Sequence, residues 1–103
     1  MTAPSVLDDL ADVRAGDKGD TLILAVIARN PAAYEQLTDR LTADAVAARY
    51  HPLITGPCRR TCQPNQLAMV FELPGVLGGG VTGSPVLDGH GKTLGYHLLG
   101  LQI

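Results

Sequence analysis

The chain has 103 residues, of which 46% are hydrophobic and 17% charged, and its formal net charge is −2 at pH 7. This length fits one domain over residues 1–103 and argues against a large enclosed core. A slightly acidic chain without interleaved aromatic and basic residues argues against nucleic acid as a partner. The sequence contains no secretory leader and no apolar run long enough to cross a bilayer, which predicts a cytoplasmic protein that does not bind membranes.

The first third of the chain predicts two strands joined by a turn. Residues 7–13 alternate loosely between apolar and polar side chains, which indicates an edge strand. The segment Ala15-Gly16-Asp17-Lys18-Gly19-Asp20 has the composition of a turn in which both glycines can adopt positive φ. Residues 21–28 are almost continuously apolar and rich in branched side chains, which predicts a central strand buried on both faces.

The next segment predicts helix. Asn30 is a good N-cap, and Pro31 suits the first helical position. Apolar residues then recur at helical spacing, and Thr42 offers a second N-cap, so either one kinked helix or two helices are expected. The pair His51-Pro52 ends the helical region, because a residue before proline avoids the helical conformation.

The remaining elements complete the pattern. Residues 58–62 and 67–73 predict two strands separated by a turn at 63–66. Ser84-Pro85 predicts the start of a short helix that ends near Gly91, and a closing strand is expected from about residue 92, although residues 93–99 also suit a helix. This order is the βαββαβ pattern of a ferredoxin-like α+β fold with an extra N-terminal strand.

One run of residues resembles a known family. Arg14-Ala15-Gly16-Asp17-Lys18-Gly19-Asp20-Thr21, followed by Val26-Ile27-Ala28-Arg29, is similar to the signature of the acyclic terpene utilisation (AtuA-like) ferredoxin-fold domain. Shorter matches follow in the same order at Leu41-Thr42-Ala43, Leu77-Gly78-Gly79-Gly80 and Gly91-Lys92-Thr93-Leu94. The sequence departs from the family pattern at Ala15, where serine is usual, and near Ile23, where asparagine is usual.

The resemblance implies a biological setting and no defined reaction. The domain resembles the C-terminal part of larger proteins linked to terpenoid and acyl-CoA breakdown. Stand-alone copies are similar to a small subunit or a separate accessory protein. A domain of this kind is therefore expected to act in an acyl or hydroxy-acid catabolic system.

Two glycine-rich segments are the candidate ligand-binding residues. In the first, successive backbone N–H groups near Gly16 and Gly19 would form an anion-binding nest, with added charge from Lys18 and Arg14. Its aspartates, Asp17 and Asp20, oppose an anion unless Arg14, Arg29 or Arg59 offsets them. The alternative is a purely structural turn, which Ala15 favours because it lacks the hydroxyl. The second segment, Gly78-Gly79-Gly80, is either the wall of a cleft or a close backbone crossing.

The inventory of reactive side chains predicts neither a metal nor a cofactor. Cys58 and Cys62 supply two thiols, whereas a zinc site needs about four ligands and only His51, His90 and His97 offer ring nitrogens. Two free thiols are therefore expected. Neither cysteine has a histidine at a meaningful spacing, so catalytic residues stay unassigned and the isolated chain is expected not to be an enzyme.

Three functions stay open from the sequence. The first is a non-catalytic accessory subunit that assembles with itself or with a larger AtuA-like partner. The second is a hydratase or lyase of the acyl-CoA type that uses Asp17, Lys18 or Asp20, and the third is a module that binds a small anion. The first is favoured, because the sequence shows no complete catalytic site and the resemblance implies a small subunit. Assembly is expected because the strand over residues 21–28 is apolar on both sides, while a ferredoxin-like sheet has helices on one side only. The uncovered apolar side predicts a dimer, unless residues 76–83 fold over it.

Overall fold

A computed structural model describes residues 6–77, 95 and 97–102. Their elements are helix α1 (Leu7–Leu10), strands β1 (Ala11–Lys18) and β2 (Thr21–Ala28), helices α2 (Pro31–Arg40) and α3 (Ala43–Arg49), strand β3 (Arg59–Gln63), a 3₁₀ turn (Pro64–Gln66) and strand β4 (Ala68–Leu73). The strands form one antiparallel sheet in the order β1-β2-β4-β3. The predicted ferredoxin-like α+β fold is confirmed.

The helical region divides in two, as the second of the sequence-based options required. Asn30 caps α2 by accepting a 2.8 Å hydrogen bond from the backbone N–H of Ala33, and Thr42 caps α3 by accepting a 3.1 Å bond from Ala45. A cap inside the segment satisfies N–H groups that a continuous helix would have bonded to its preceding turn. Arg60 of β3 then donates to the carbonyls of Thr38 and Leu41 at 3.0 and 2.9 Å, which fixes the C-terminal end of α2 to the sheet.

The N-terminal prediction needs correction. Residues 7–10 form the helix α1 and not part of a strand, and β1 begins at Ala11 and runs on through Lys18. Most of the expected turn is therefore strand: the true turn is the two-residue connection of Gly19 and Asp20. Gly19 has φ +62°, whereas Gly16 lies in the strand without positive φ. A two-residue hairpin turn needs only one glycine at its first position, which leaves Gly16 free to pair across the sheet.

The predicted closing strand is also corrected where the structure describes it. Residues 95 and 97–99 are helical, in agreement with the alternative of a helix over residues 93–99, and Gln102 makes a single bridge to Val6. The place beside β2 where a last ferredoxin strand would pair is already taken by β1, since all eight residues of β1 are in register with β2. The C-terminal residues instead cover the sheet: an added Cβ on Gly95 would lie 3.4 Å from the Cβ of Ala15. The helix expected from Ser84 lies outside the described residues.

One core holds these elements together. Alternate residues of β2 (Leu22, Leu24, Val26 and Ala28) and of β4 (Met69, Phe71 and Leu73) are buried in the same cluster as Leu37, Val46, Tyr50 and Leu98 of the helical layer. Leu7 from α1 also belongs to it. The described helices therefore share one face of the sheet. In the described part of the chain, no helix is long and apolar enough to cross a membrane.

A glycine series tests the backbone assignments. Gly75 has φ +78°, and an added Cβ would collide with the side chain of Thr55. We expect Gly75→Ala to lower the free energy of unfolding most, Gly19→Ala to lower it by about 1 kcal/mol through its left-handed backbone, and Gly16→Ala to change it least. Chemical denaturation of the three variants measures the order. A loss at Gly16 equal to that at Gly19 would contradict the strand assignment, since nothing lies within 4 Å of a Cβ at Gly16.

Candidate functional site

The sheet has one face that no described helix covers. Neighbouring residues of a strand point to opposite faces, so the residues that alternate with the buried ones along each strand define this second face. We call it the open face. It consists of four residues of β1, four of β2, three of β4 and three of β3: Asp12, Arg14, Gly16, Lys18; Thr21, Ile23, Ala25, Ile27; Ala68, Val70, Glu72; Arg59, Thr61, Gln63.

The middle of the open face is apolar. Ile23, Ala25 and Ile27 are half-buried and lie beside Glu72, Val70 and Ala68 respectively. None of these residues packs against the core cluster, although Ala68 is only 7% exposed. The expectation that β2 is buried on both faces is therefore wrong for the described residues: the helix face is buried and the open face is half-buried.

The candidate loop residues do not all point to one place. Gly16 and Lys18 share the open face with Arg14, whereas Asp17 pairs with Leu22 and so points to the helix side. Gly19 and Asp20 form the turn beyond them. A catalytic pair made of Asp17 and Lys18 would thus have its two groups on opposite sides of the sheet.

The arginines that were expected to offset Asp17 and Asp20 are distant from the turn. Arg29 follows the far end of β2, roughly 23 Å from the turn at about 3.3 Å per residue. There it donates to the carbonyl of Asp8 at 2.7 Å and lies 3.4 Å from the carboxylate of Asp12. Arg59 is level with Gly16 across the sheet but three strands away, so the two residues are on the order of 14 Å apart. By the same spacing Arg14 lies about 13 Å along β1 from Lys18, so none of the three suggested arginines is next to the turn.

One contact joins Leu77 to the turn of the first glycine-rich segment. The backbone N–H of Leu77 donates to the carbonyl of Asp20 at 3.1 Å. Leu77 immediately precedes Gly78-Gly79-Gly80, which lie outside the described residues. The structure therefore places Leu77 at the turn between β1 and β2, a proximity that nothing in the sequence spacing indicated. Val76 and Leu77 are buried in the core cluster, so this part of residues 76–83 turns toward the helix side and not over the open face.

The thiols are free and differ in environment. Cys58 is half-buried and Cys62 is exposed. Burial, followed by the negative charges of Asp44 and Glu72, raises the pKa of the Cys58 thiol to about 11. A protonated thiol is a poor nucleophile and a poor metal ligand at neutral pH. Within the described ranges, no three His, Cys, Asp or Glu side chains are placed to hold a metal ion together.

In the part of the chain that the structure describes, the charged side chains lie at the surface. None of its buried side chains carries a charge. Arg14, Lys18 and Arg59 each lack a hydrogen bond or ion pair among the described residues, whereas Arg60 and Arg29 are engaged. The geometry thus defines a ferredoxin-like α+β domain with a half-apolar, open sheet face bordered by unengaged cations.

The chain belongs to the AtuA ferredoxin-like domain family, whose model matches residues 5–103. This agrees with the resemblance found in the Gly-Asp-Lys-Gly-Asp run and its neighbours. No curated protein and no solved structure matches the chain significantly.

The two thiols give a test of their environments. We expect iodoacetamide at pH 8 to modify Cys62 well before Cys58, because Cys62 is exposed and Cys58 keeps its proton. The raised pKa also means that the folded state retains the Cys58 proton longer than the unfolded state does. Its contribution to stability is thus present below pH 9 and is lost between pH 9 and about 11.

Peptide mass spectrometry of the alkylated protein measures both rates. In guanidinium the two cysteines should react alike, which serves as the control. Equal rates in the native protein would contradict the burial of Cys58, and Cys58→Ser should remove part of the loss of stability above pH 9.

Proposed function

We propose that this protein is a non-catalytic accessory subunit of an acyl or hydroxy-acid catabolic system and that it binds its partner protein through the open face. The observation that carries this proposal is the apolar strip of Ile23, Ala25, Ile27 and Val70, which packs on no described helix. Monomeric proteins rarely leave a continuous apolar strip uncovered. The catabolic setting rests on the family alone.

Several features support a binding role over a catalytic one. Asp17 and Lys18 point to opposite faces, and the Cys58 thiol stays protonated near neutral pH. Catalytic groups normally lie in a concave site that holds them against the substrate. Asp17, Lys18 and Asp20 are all exposed. A surface of strands is also rigid, which reduces the entropy lost on association.

The open face gives a direct test of the proposal. We expect Ile27→Asp to abolish assembly, because it places a carboxylate in the apolar strip at little cost to the core. Light scattering after size exclusion is run on the chain alone and on the chain mixed with an adjacent gene's product that resembles the family's large domain. At least one arm should give a complex with the wild type and none with the variant.

Ala32→Asp is the matched control, since it makes a similar change on the exposed surface of α2. Thermal melts establish that both variants are folded. A complex that survives Ile27→Asp, or a wild-type chain that stays alone in both arms, would refute the open face as the docking surface.

A second function is favoured by the bond between Leu77 and Asp20. Because this bond holds Leu77, the residue before Gly78-Gly79-Gly80, at the turn, we propose as the alternative that the junction of the two glycine-rich segments binds a small anion, such as a phosphate or an acyl-CoA head group, with Lys18 supplying charge. Lys18 and the bond between Leu77 and Asp20 lie at the same end of the sheet. The exposed position of Lys18 suits electrostatic attraction more than proton transfer.

Melting temperatures separate the alternative from a structural turn. Lys18→Ala should melt with the wild type in the absence of ligand, because no described residue bonds to Lys18. If the junction binds an anion, inorganic phosphate or acetyl-CoA should raise the melting temperature of the wild type and not that of Lys18→Ala. Identical curves for both proteins at every ligand concentration would leave the turn with a structural role only.

A further inference from the structure

Besides Lys18, the open face has four charged residues, which occupy two sets of neighbouring acid and base positions with different directions. Among the described residues, only Asp12 of these four has an ion pair, with Arg29 at 3.4 Å. On β1, Asp12 and Arg14 are successive residues of this face, so their pair runs along the strand. On the other side of the apolar strip, Glu72 and Arg59 are cross-strand neighbours, so their pair runs across the strands. Charged groups flanking a flat apolar surface restrict how a partner can lie on it.

We infer that the open face binds the open face of a second copy of this chain, with the two sheets crossed at about 90° around a two-fold axis. This inference rests on the proposed use of the open face and names its occupant. In a crossed arrangement, strand β1 of one copy lies along the line that joins Glu72 and Arg59 in the other copy. Arg14 then faces the partner's Glu72, and Asp12 faces the partner's Arg59. The two-fold axis repeats both contacts, which gives four ion pairs.

The spacings of the two pairs are compatible. Successive residues on one face of a strand are about 6.7 Å apart, and neighbouring strands are about 4.8 Å apart. The difference of about 2 Å is well within the reach of flexible arginine side chains. Orthogonal contact at roughly 90° is one of the two regular ways in which sheets pack on each other.

The apolar residues fit the same arrangement. Ala25 and Val70 are cross-strand neighbours at the centre of the open face, where the axis passes. Small side chains there let the two sheets approach closely. Ile23 meets the aliphatic part of the partner's Arg14, and Ile27 meets the partner's Thr61 and the stem of its Arg59. Long basic side chains commonly cover apolar surface in this way.

Parallel stacking of the two sheets does not match the charges. With the two-fold axis along the strands, Glu72 would lie over the partner's Ile23 and Arg14 over its Thr61. With the axis across the strands at Arg14, the two copies of Arg14 would meet. Each arrangement leaves a carboxylate or a guanidinium without an opposite charge, which costs binding free energy when water is excluded.

Lys18 supplies an internal control. It lies on the open face one step beyond Gly16, at the end of β1 near the turn. In the crossed arrangement this end projects past the partner's sheet, so Lys18 faces solvent. Reversal of its charge should leave association unchanged, although the same reversal at Arg14 should not.

A charge exchange tests the inference on the full chain. Sedimentation equilibrium should give twice the 10.8 kDa chain mass for the wild type. Arg14→Glu and Glu72→Arg should each weaken dimerisation by roughly tenfold or more. The double variant Arg14→Glu/Glu72→Arg should recover most of the affinity, while Lys18→Glu should match the wild type. Circular dichroism confirms that each variant is folded.

The outcomes separate this inference from the proposed function. In one outcome the wild type is a dimer that Ile27→Asp dissociates, but the double variant does not recover the affinity. This outcome supports the open face as the docking surface and overturns the crossed pairing. A wild-type monomer that uses the open face for a larger protein overturns the second copy and keeps the docking face. A dimer unaffected by Ile27→Asp overturns both.

Discussion

The pairing of β2 with a strand on each side is the constraint on which the rest of the structure depends. β1 and β4 take up its backbone hydrogen bonds along nearly its whole length, so β2 cannot lie at an edge or turn its apolar residues away from the sheet. Its alternate residues must therefore present apolar groups to both faces. The helices α2 and α3, together with residues 97–99, cover one of these faces. The other face, the open face, consists of the residues that alternate with these buried ones.

The same constraint explains which parts of the fold could be predicted from the sequence. Short-range signals were reliable: Asn30 and Thr42 cap the helices that they were expected to cap, and the alternation over residues 67–73 gives β4 within one residue. These features depend on the chemistry of neighbouring residues. The ends of the chain depend on distant ones. A closing strand was expected from about residue 92, but residues 95 and 97–99 are helical, and the edge that such a strand would need is already paired with β1.

The Gly-Asp-Lys-Gly-Asp run shows why the candidate site was harder to predict. Its composition suits a loop, and two glycines suggested two positive φ angles. In the folded chain only Gly19 and Asp20 form the turn, while Asp17 and Lys18 belong to a strand that separates them by face. Composition reports what the backbone tolerates, and strand register decides where each side chain points. The contact of Leu77 with Asp20 spans 57 positions, and no local pattern encodes it.

Strand register also fixes the positions of the charges around the apolar strip. Arg29 holds the end of β1 near Asp12, and Arg60 holds β3 against α2, so two of the cations position strands. Arg14 and Arg59 make no such contact among the described residues, and they border the apolar strip from opposite edges. Rigid strands fix these charges relative to each other, whereas a loop would let them move and lose that relation. A flat apolar strip binds many surfaces, and the fixed order of charges around it limits which surface fits.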